Sequence, residues 1–588
     1  MPLRSISVLS CRLSLRRERQ CSTILSLALI VCAFTAVAPA QKPQAALPHV
    51  YIDTTWNPPT GGTPWAVHTA AQLTGALNAS APGDIIVLDA GTIYSGNFIV
   101  PAKSNPNKQW TYVISSALAS MPPGMRVYPA SRRYMPKIVS PNASQALSFA
   151  NGANHWRFAG IEVYSASTYH PNGYTPGVNY AYALIDKHTY PSVTLPDSIV
   201  FDRVYLHGDA THDVQRAISA NYSNAALVDS YISDIHMQGT ETQAIGAWAT
   251  PGPIKIVNNY LSAATETIMF GGGGGWNNPY VPSDIEIRNN YLYKPLSWAK
   301  SGEGGTLLPH NQWVEKNAFE IKSAQRVLFD SNTIQNVWAA AQAGYAIVLT
   351  VRTSQSGDIA VVNDITITNN LLNNVVAGFN TMAKDDVCGA TGGYPNCHNA
   401  GSQDRWYIAN NQIIFYNPTL PGGARNVAVG FNTGMDRLNH NAQGVMRDVV
   451  FEHNTTVSAP STPCWEAIFF SAGTQKLPLT KLTQNIWVLD NTLCRQPTGD
   501  YGLQGTAGLT QYMGSPSTPP YGLTQRFYGN VMYVPSNNWV QTFPPGNYAT
   551  TVPFTYVNPT TGDFQLVTPK WTDTTDGRLA GVNYSSLP

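Results

Sequence analysis

Eleven recurring positions constrain this 588-residue chain more than any other feature. Ile161, Val204, Ser230, Asn259, Asn290, Asn332, Asn370, Asn411, Asn454, Asn491 and Asn530 follow one another at intervals of 26 to 43 residues, and eight of the eleven are asparagine. The residue three places before each is apolar without exception, from Phe158 to Phe527; the residue two places after is apolar everywhere but at Thr456. Side chains alternate along a strand, so positions −5 and −3 share one face, and positions 0 and +2 share a face of the next strand. The odd step from −3 to 0 demands a bend. Asparagine suits it, because it tolerates left-handed backbone geometry and bonds locally through its amide. Each interval holds three short strands with their loops, and stacked copies align the asparagines in a ladder. The pattern predicts an all-β, single-domain parallel solenoid.

Composition narrows the partners. With 43% hydrophobic and 12% charged residues the chain is not disordered. Lys+Arg 35 against Asp+Glu 34 leaves no basic excess for a phosphate backbone, so no nucleic acid is expected as a partner. Arg4, Arg12, Arg16, Arg17 and Arg19 precede an apolar run over 24–37 that ends in Ala38-Pro39-Ala40. Residues 1–40 are therefore read as a secretory signal peptide and the protein as secreted, extracellular or periplasmic, with a membrane anchor as the competing reading. No later stretch is long and apolar enough for a membrane span. Residues 41–66 are assigned to an N-terminal arm and 67–588 to the solenoid with its end caps. Cys388, Cys397, Cys464 and Cys494 lie beyond the signal. In an exported chain they suggest two disulfides, most simply 388–397 and 464–494, against a competing reading as free thiols.

The segments IKIVNNYL, IEIRNNYL, ITITNNLL and VLFDSNTI resemble the right-handed parallel β-helix repeat of the pectate-lyase-like superfamily, over about residues 70–535. The resemblance implies three short strands per coil with an Asn-ladder corner. The helical spacing of apolar residues in 68–79 resembles the N-terminal cap helix of these proteins.

Charge is sparse, so its clustering is informative. In the coil that ends at Asn332, alternation turns Phe319 and Ile321 inward and Glu320 and Lys322 outward. One coil later Ile347, Leu349 and Val351 turn inward, and Thr350 and Arg352 outward. Lys322 and Arg352 are thus expected to be neighbours about 5 Å apart along the rod. β-Elimination of a uronic-acid polymer needs the sugar carboxylate neutralised, by arginine or by Ca²⁺ on carboxylate oxygens, and a base to take the adjacent proton. The order E-x-K-S, corner Asn, then Arg on the next coil resembles the chondroitinase-B and alginate-lyase group. That resemblance implies Lys322 as base, Arg352 as the neutralising or acid-side residue, and calcium on Glu320, although that group carries two carboxylates on its metal strand where this chain has one; Glu266, on a preceding groove strand, is a further candidate metal ligand. Trp248, Trp276, Trp338 and Gln243 are expected to contact substrate along the groove, and Gly271 to Gly275 to form a loop beside it.

The expected function is a polysaccharide lyase on an acidic glycan. A glycoside hydrolase with paired carboxylates, Glu241 and Glu266, is a second reading. A non-catalytic glycan-binding rod is a third, in which Glu320, Lys322 and Arg352 form only a surface ion ladder. Oligomeric state is left open.

Overall fold

In the computed structural model the described residues are 41–166, 183–186, 194–210, 212–272, 278–299, 313–352, 360–384, 403–415, 427–432, 445–458, 466–471, 483–495, 498–499, 526–534 and 546–588. Three sheets of 14, 14 and 9 strands run through residues 42–588. Within each, a strand pairs in parallel with its counterparts one coil earlier and one coil later, as Gly252–Val257 does with Ser223–Val228 and Ser283–Arg288. The fold is a parallel β-helix. Thirteen spacings across a 14-stranded sheet correspond to about 62 Å at ~4.8 Å per coil.

The predicted inward rows pack as rows. In the first sheet Ile254 pairs with Ile285, Ile285 with Val327, Val327 with Ile365 and Ile365 with Trp406. Phe329, Ile367, Ile408 and Phe451 form the row two residues further on. All of these belong to one continuous buried core. A fully buried side chain of this size contributes about 1.5–3 kcal/mol, so stacking coils is what stabilises each of them.

At the corner, every anchor from Asn259 to Asn491 is fully buried. Asn332 shows the bonding: its backbone N–H donates to Asn370 Oδ1 at 2.8 Å, and its Nδ2 donates to the Ile287 carbonyl of the preceding coil at 2.9 Å. The ladder extends one rung beyond the predicted set, from Asn530 to Asn547. The bend itself lies one residue earlier than expected. Left-handed φ occurs at the residue preceding the anchor, as at Asn258, Asn289, Ser331, Asn369 and Asn410, while the anchor's amide serves the ladder. A second left-handed residue recurs six places before the anchor, at Asp284, Arg326, Asp364 and Arg405. Its side chains pair across coils, Arg326 with Asp284 at 2.7 Å and Arg405 with Asp364 at 2.6 Å.

The arm is an ordered strap across the first sheet. Lys42 pairs with Glu452 at 2.9 Å, the N–H of Ala46 donates to Asp364 and that of His49 to Asp284. Further on, Lys255 donates to the Ile52 carbonyl, Arg157 to those of Thr54 and Thr55, and Tyr112 to that of Asn57. Asp364 and Asp284 are two coils apart, about 9.6 Å, which three extended residues match at ~3.3 Å each. Arg157 and Arg203 share the buried Asp202 and lie over the Trp56 ring, fixing that end.

Ala70–Ala79 forms a helix opened by a Thr69–Gln72 capping box. Its Leu73, Ala76 and Leu77 enter the core beside the first strands. Cys494 is buried; Cys388, Cys397, Cys464 and residues 1–40 lie outside the described residues.

Candidate functional site

The third sheet carries the site. In its register Arg216 lies beside Gln243, Gln243 beside Glu266, and Met269 beside Glu320. Phe319 and Ile321 are in the core, as alternation requires. Glu320 and Lys322 emerge together, with Lys322 Nζ 3.4 Å from Glu320 Oε1. The N–H of Arg352 donates to the Lys322 carbonyl at 3.1 Å, so the winding brings these residues onto adjacent coils.

The surroundings are far less solvated than a surface ladder. Lys322 is 7% exposed and Glu320 3%. Gly271 and Gly272, both at positive φ, pass over this strand. A Cβ on Gly272 would stand 2.2 Å from Lys322 Cδ, and one on Gly271 2.4 Å from the Ser323 nitrogen. Glycine is needed there for close approach as well as for its backbone angle. Trp276 and the rest of the Gly-rich run lie outside the described residues.

A second lysine completes the cluster. Lys316 Nζ contacts Glu241 and lies 3.5 Å from Glu266 Oε1. Glu266 is fully buried and accepts from Gln243 Nε2 at 2.8 Å; Glu320 accepts from Asn317 Nδ2 at 2.9 Å. Burial pushes the Glu266 carboxyl up to about 7, Glu320 and Glu241 push the same way, and Lys316 and Lys322 oppose them. Burial also raises Glu241, but the ammonium groups of Lys322 and Lys316 outweigh it and hold that carboxyl below its ordinary value. Lys316 is pushed down by burial, yet its carboxylate neighbours, Glu266 first, hold it above the usual lysine range. Beneath lies Lys294, fully buried, which donates to the carbonyls of Ala264 and Thr265 and pairs with Glu315 at 3.6 Å.

The residues expected to touch sugar sit differently. The Trp338 ring is buried with Trp298 and Trp313 against Ala264 and Val376, so packing takes up the faces that stacking on a sugar requires. Trp248 is 6% exposed; its ring covers Gly246, with the Arg216 guanidinium 4.9 Å from the ring centre. Gln243 is buried against Glu266.

Calcium makes definite demands on its donor atoms. Gln243 Oε1, Glu266 Oε1 and Asn317 Oδ1 are buried and accept no hydrogen bond, an electronegative lining that suits a cation. The cation beside Glu266, however, is the Lys316 ammonium, and Glu320 faces that of Lys322. Ca²⁺ takes six to eight oxygens at about 2.3–2.6 Å, so binding at Glu266 and Glu320 would require these ammonium groups to leave. As built, the two carboxylates do not fit it. Elsewhere His453, Asp490 and Asp576 bring ligand atoms within 4.8 Å of one another. There Thr575 bonds Asp490 and His453 Nε2 lies 3.1 Å from Asp576, so the group also works as a clasp for the C-terminal segment.

Lys316 and Lys294 are the residues that sequence reasoning missed. The available signal was the density of charge around residue 316.

No family model and no curated protein matches the chain. Among solved structures it is similar to the PL6 family alginate lyase AlyGC, with TM-score 0.49 and 14% identity over 90% of this chain, which spans 57% of that chain's length. It is similar also to an alginate lyase from Paenibacillus sp. str. FPU-7, with TM-score 0.36 and 13% identity over 70% of this chain and 99% of that one. A Yersinia enterocolitica Family 28 exopolygalacturonase gives TM-score 0.36 and 10% identity over 87% and 78%. The parallel β-helix itself is read from this chain's own sheet order.

Proposed function

We propose that the protein is a polysaccharide lyase acting on an acidic glycan by β-elimination. The observation that carries this reading is the backbone bond from Arg352 to Lys322, which sets a lysine and an arginine on adjacent coils, with Lys322 and Lys316 acting on the same carboxylates, Glu241 and Glu266. Basic side chains on neighbouring coils suit a polyanionic substrate, because charge interactions strengthen where water is excluded. Arg352 meets the uronate carboxylate and makes the adjacent C–H more acidic. Lys322 is the base assigned to that proton. The electron pair forms the C=C bond as the C–O bond to the leaving sugar breaks, and solvent water gives the leaving oxygen its proton.

The hydrolase reading keeps one supporting observation. Glu266 holds its proton near neutrality beside the ionised Glu241, the kind of separation an acid and base pair needs. One experiment decides: incubate the protein with uronate and neutral polysaccharides. Rising ultraviolet absorbance from an unsaturated product supports the lyase. New reducing ends without it support hydrolysis, and retention without cleavage supports a binding rod.

A further inference from the structure

We infer that Lys316 is a built-in cation, its ammonium holding the place of a divalent metal ion between Glu241 and Glu266, so that this site needs no metal. The inference deepens the lyase reading, since it concerns the same cluster, but its test does not depend on turnover.

The geometry is that of a cation site already filled. Lys316 Nζ touches one carboxylate, lies 3.5 Å from a second, and is carried on a side chain only 14% exposed. Glu266 is fully buried, and an unpaired carboxylate there would be costly. Glu266 Oε2 accepts from Gln243 Nε2, while Glu266 Oε1 accepts no hydrogen bond and has the Lys316 ammonium 3.5 Å away. A buried carboxylate oxygen of this kind needs a neighbouring positive charge, and in this chain lysine supplies it. A tethered ammonium differs from a bound ion in two ways: it is not lost to chelators, and it brings one charge where calcium brings two. The cluster compensates for the smaller charge with Lys322 beside Glu320 and Lys294 beside Glu315.

Removing the ammonium should therefore turn the lining into a metal site. Lys316→Gln leaves Glu241 and Glu266 without their partner in a lining of unused oxygens. The test is calcium titration by calorimetry, with terbium luminescence as a second probe, on the wild-type protein and on Glu266→Gln, Lys316→Gln, Lys316→Arg and Lys316→Gln/Glu266→Gln. Wild type and Lys316→Arg are expected to show no calcium uptake that depends on Glu266, and no change in Tm with a chelator. Lys316→Gln is expected to bind calcium at least about tenfold more tightly than wild type and to gain Tm with it. The double variant should lose that gain. Binding that survives Glu266→Gln belongs to His453, Asp490 and Asp576 and is subtracted. Calcium uptake by the wild-type protein that is lost in Glu266→Gln would overturn the inference, as would a folded Lys316→Gln variant that takes up no metal. Should Lys316→Gln fail to fold, the wild-type titration and the chelator Tm still decide. A protein that cleaves no glycan yet shows this metal pattern would sink the lyase reading alone.

Discussion

Arg352 donates its backbone N–H to the carbonyl of Lys322, 3.1 Å away, across one turn of the β-helix. The bond fixes the spacing between the two side chains through main chain, so it survives their replacement. Lys322→Ala and Arg352→Ala should each keep the fold and lower the formation of unsaturated product by about 10²–10⁴-fold. Initial rates on the best uronate substrate, with circular dichroism as the fold control, check this. Full activity in either variant removes that residue from the mechanism.

Glu266 links the site to pH. Its folded-state pKa is raised to about 7 by burial, above the ordinary 4.5, so its stabilising contribution is complete below pH 4.5 and is lost as pH rises through 7. Glu266→Gln removes that loss. The variant should match wild type near pH 4 and exceed it at pH 8 by on the order of 3 kcal/mol in urea unfolding. An equal difference at both pH values would contradict a protonated Glu266.

Gly272→Ala tests the close approach over Lys322. The new methyl would meet the lysine stem at 2.2 Å, so the ammonium must shift. Displacing a reacting group by about 1 Å costs on the order of 100-fold. The expected result is a drop of about 10–100-fold in kcat in protein that stays folded, with Tm lowered by the strain of a side chain at positive φ. Unchanged kcat would show that the Lys322 position does not govern the rate.

Asn370→Ala tests the corner. The change takes the acceptor from the Asn332 N–H and Nδ2, and removes the donors to the Phe329 carbonyl and to Asn411. All these groups are buried, so a loss of roughly 3–5 kcal/mol is expected in denaturant unfolding. Asn547→Ala, at the partly buried last rung, should cost less.

The coils were legible in the sequence because the ladder admits almost nothing but asparagine, and because each coil repeats the same core-facing row. The left-handed residues before the anchors were hidden, since Asn, Asp, Ser, Arg and His all occupy them. Lys322 and Arg352 could be placed together because about one coil separates them. Lys316 and Glu241 could not: they stand 75 residues apart, with long insertions between them that break the count. The strap was invisible for another reason. Its contacts are mostly main-chain groups of the arm, such as the N–H of Ala46 and His49, which leave no mark on residue type.

That strap changes how the rod should come apart. In a bare solenoid each coil touches only its neighbours, so unravelling can start at either end and proceed rung by rung. Here sixteen residues tie the coil of Glu452 to that of Tyr112, with attachments in between. Fraying at one end must break ties that reach the other. The molecule is therefore expected to melt as one cooperative body, where the same chain lacking residues 41–57 would unzip in stages.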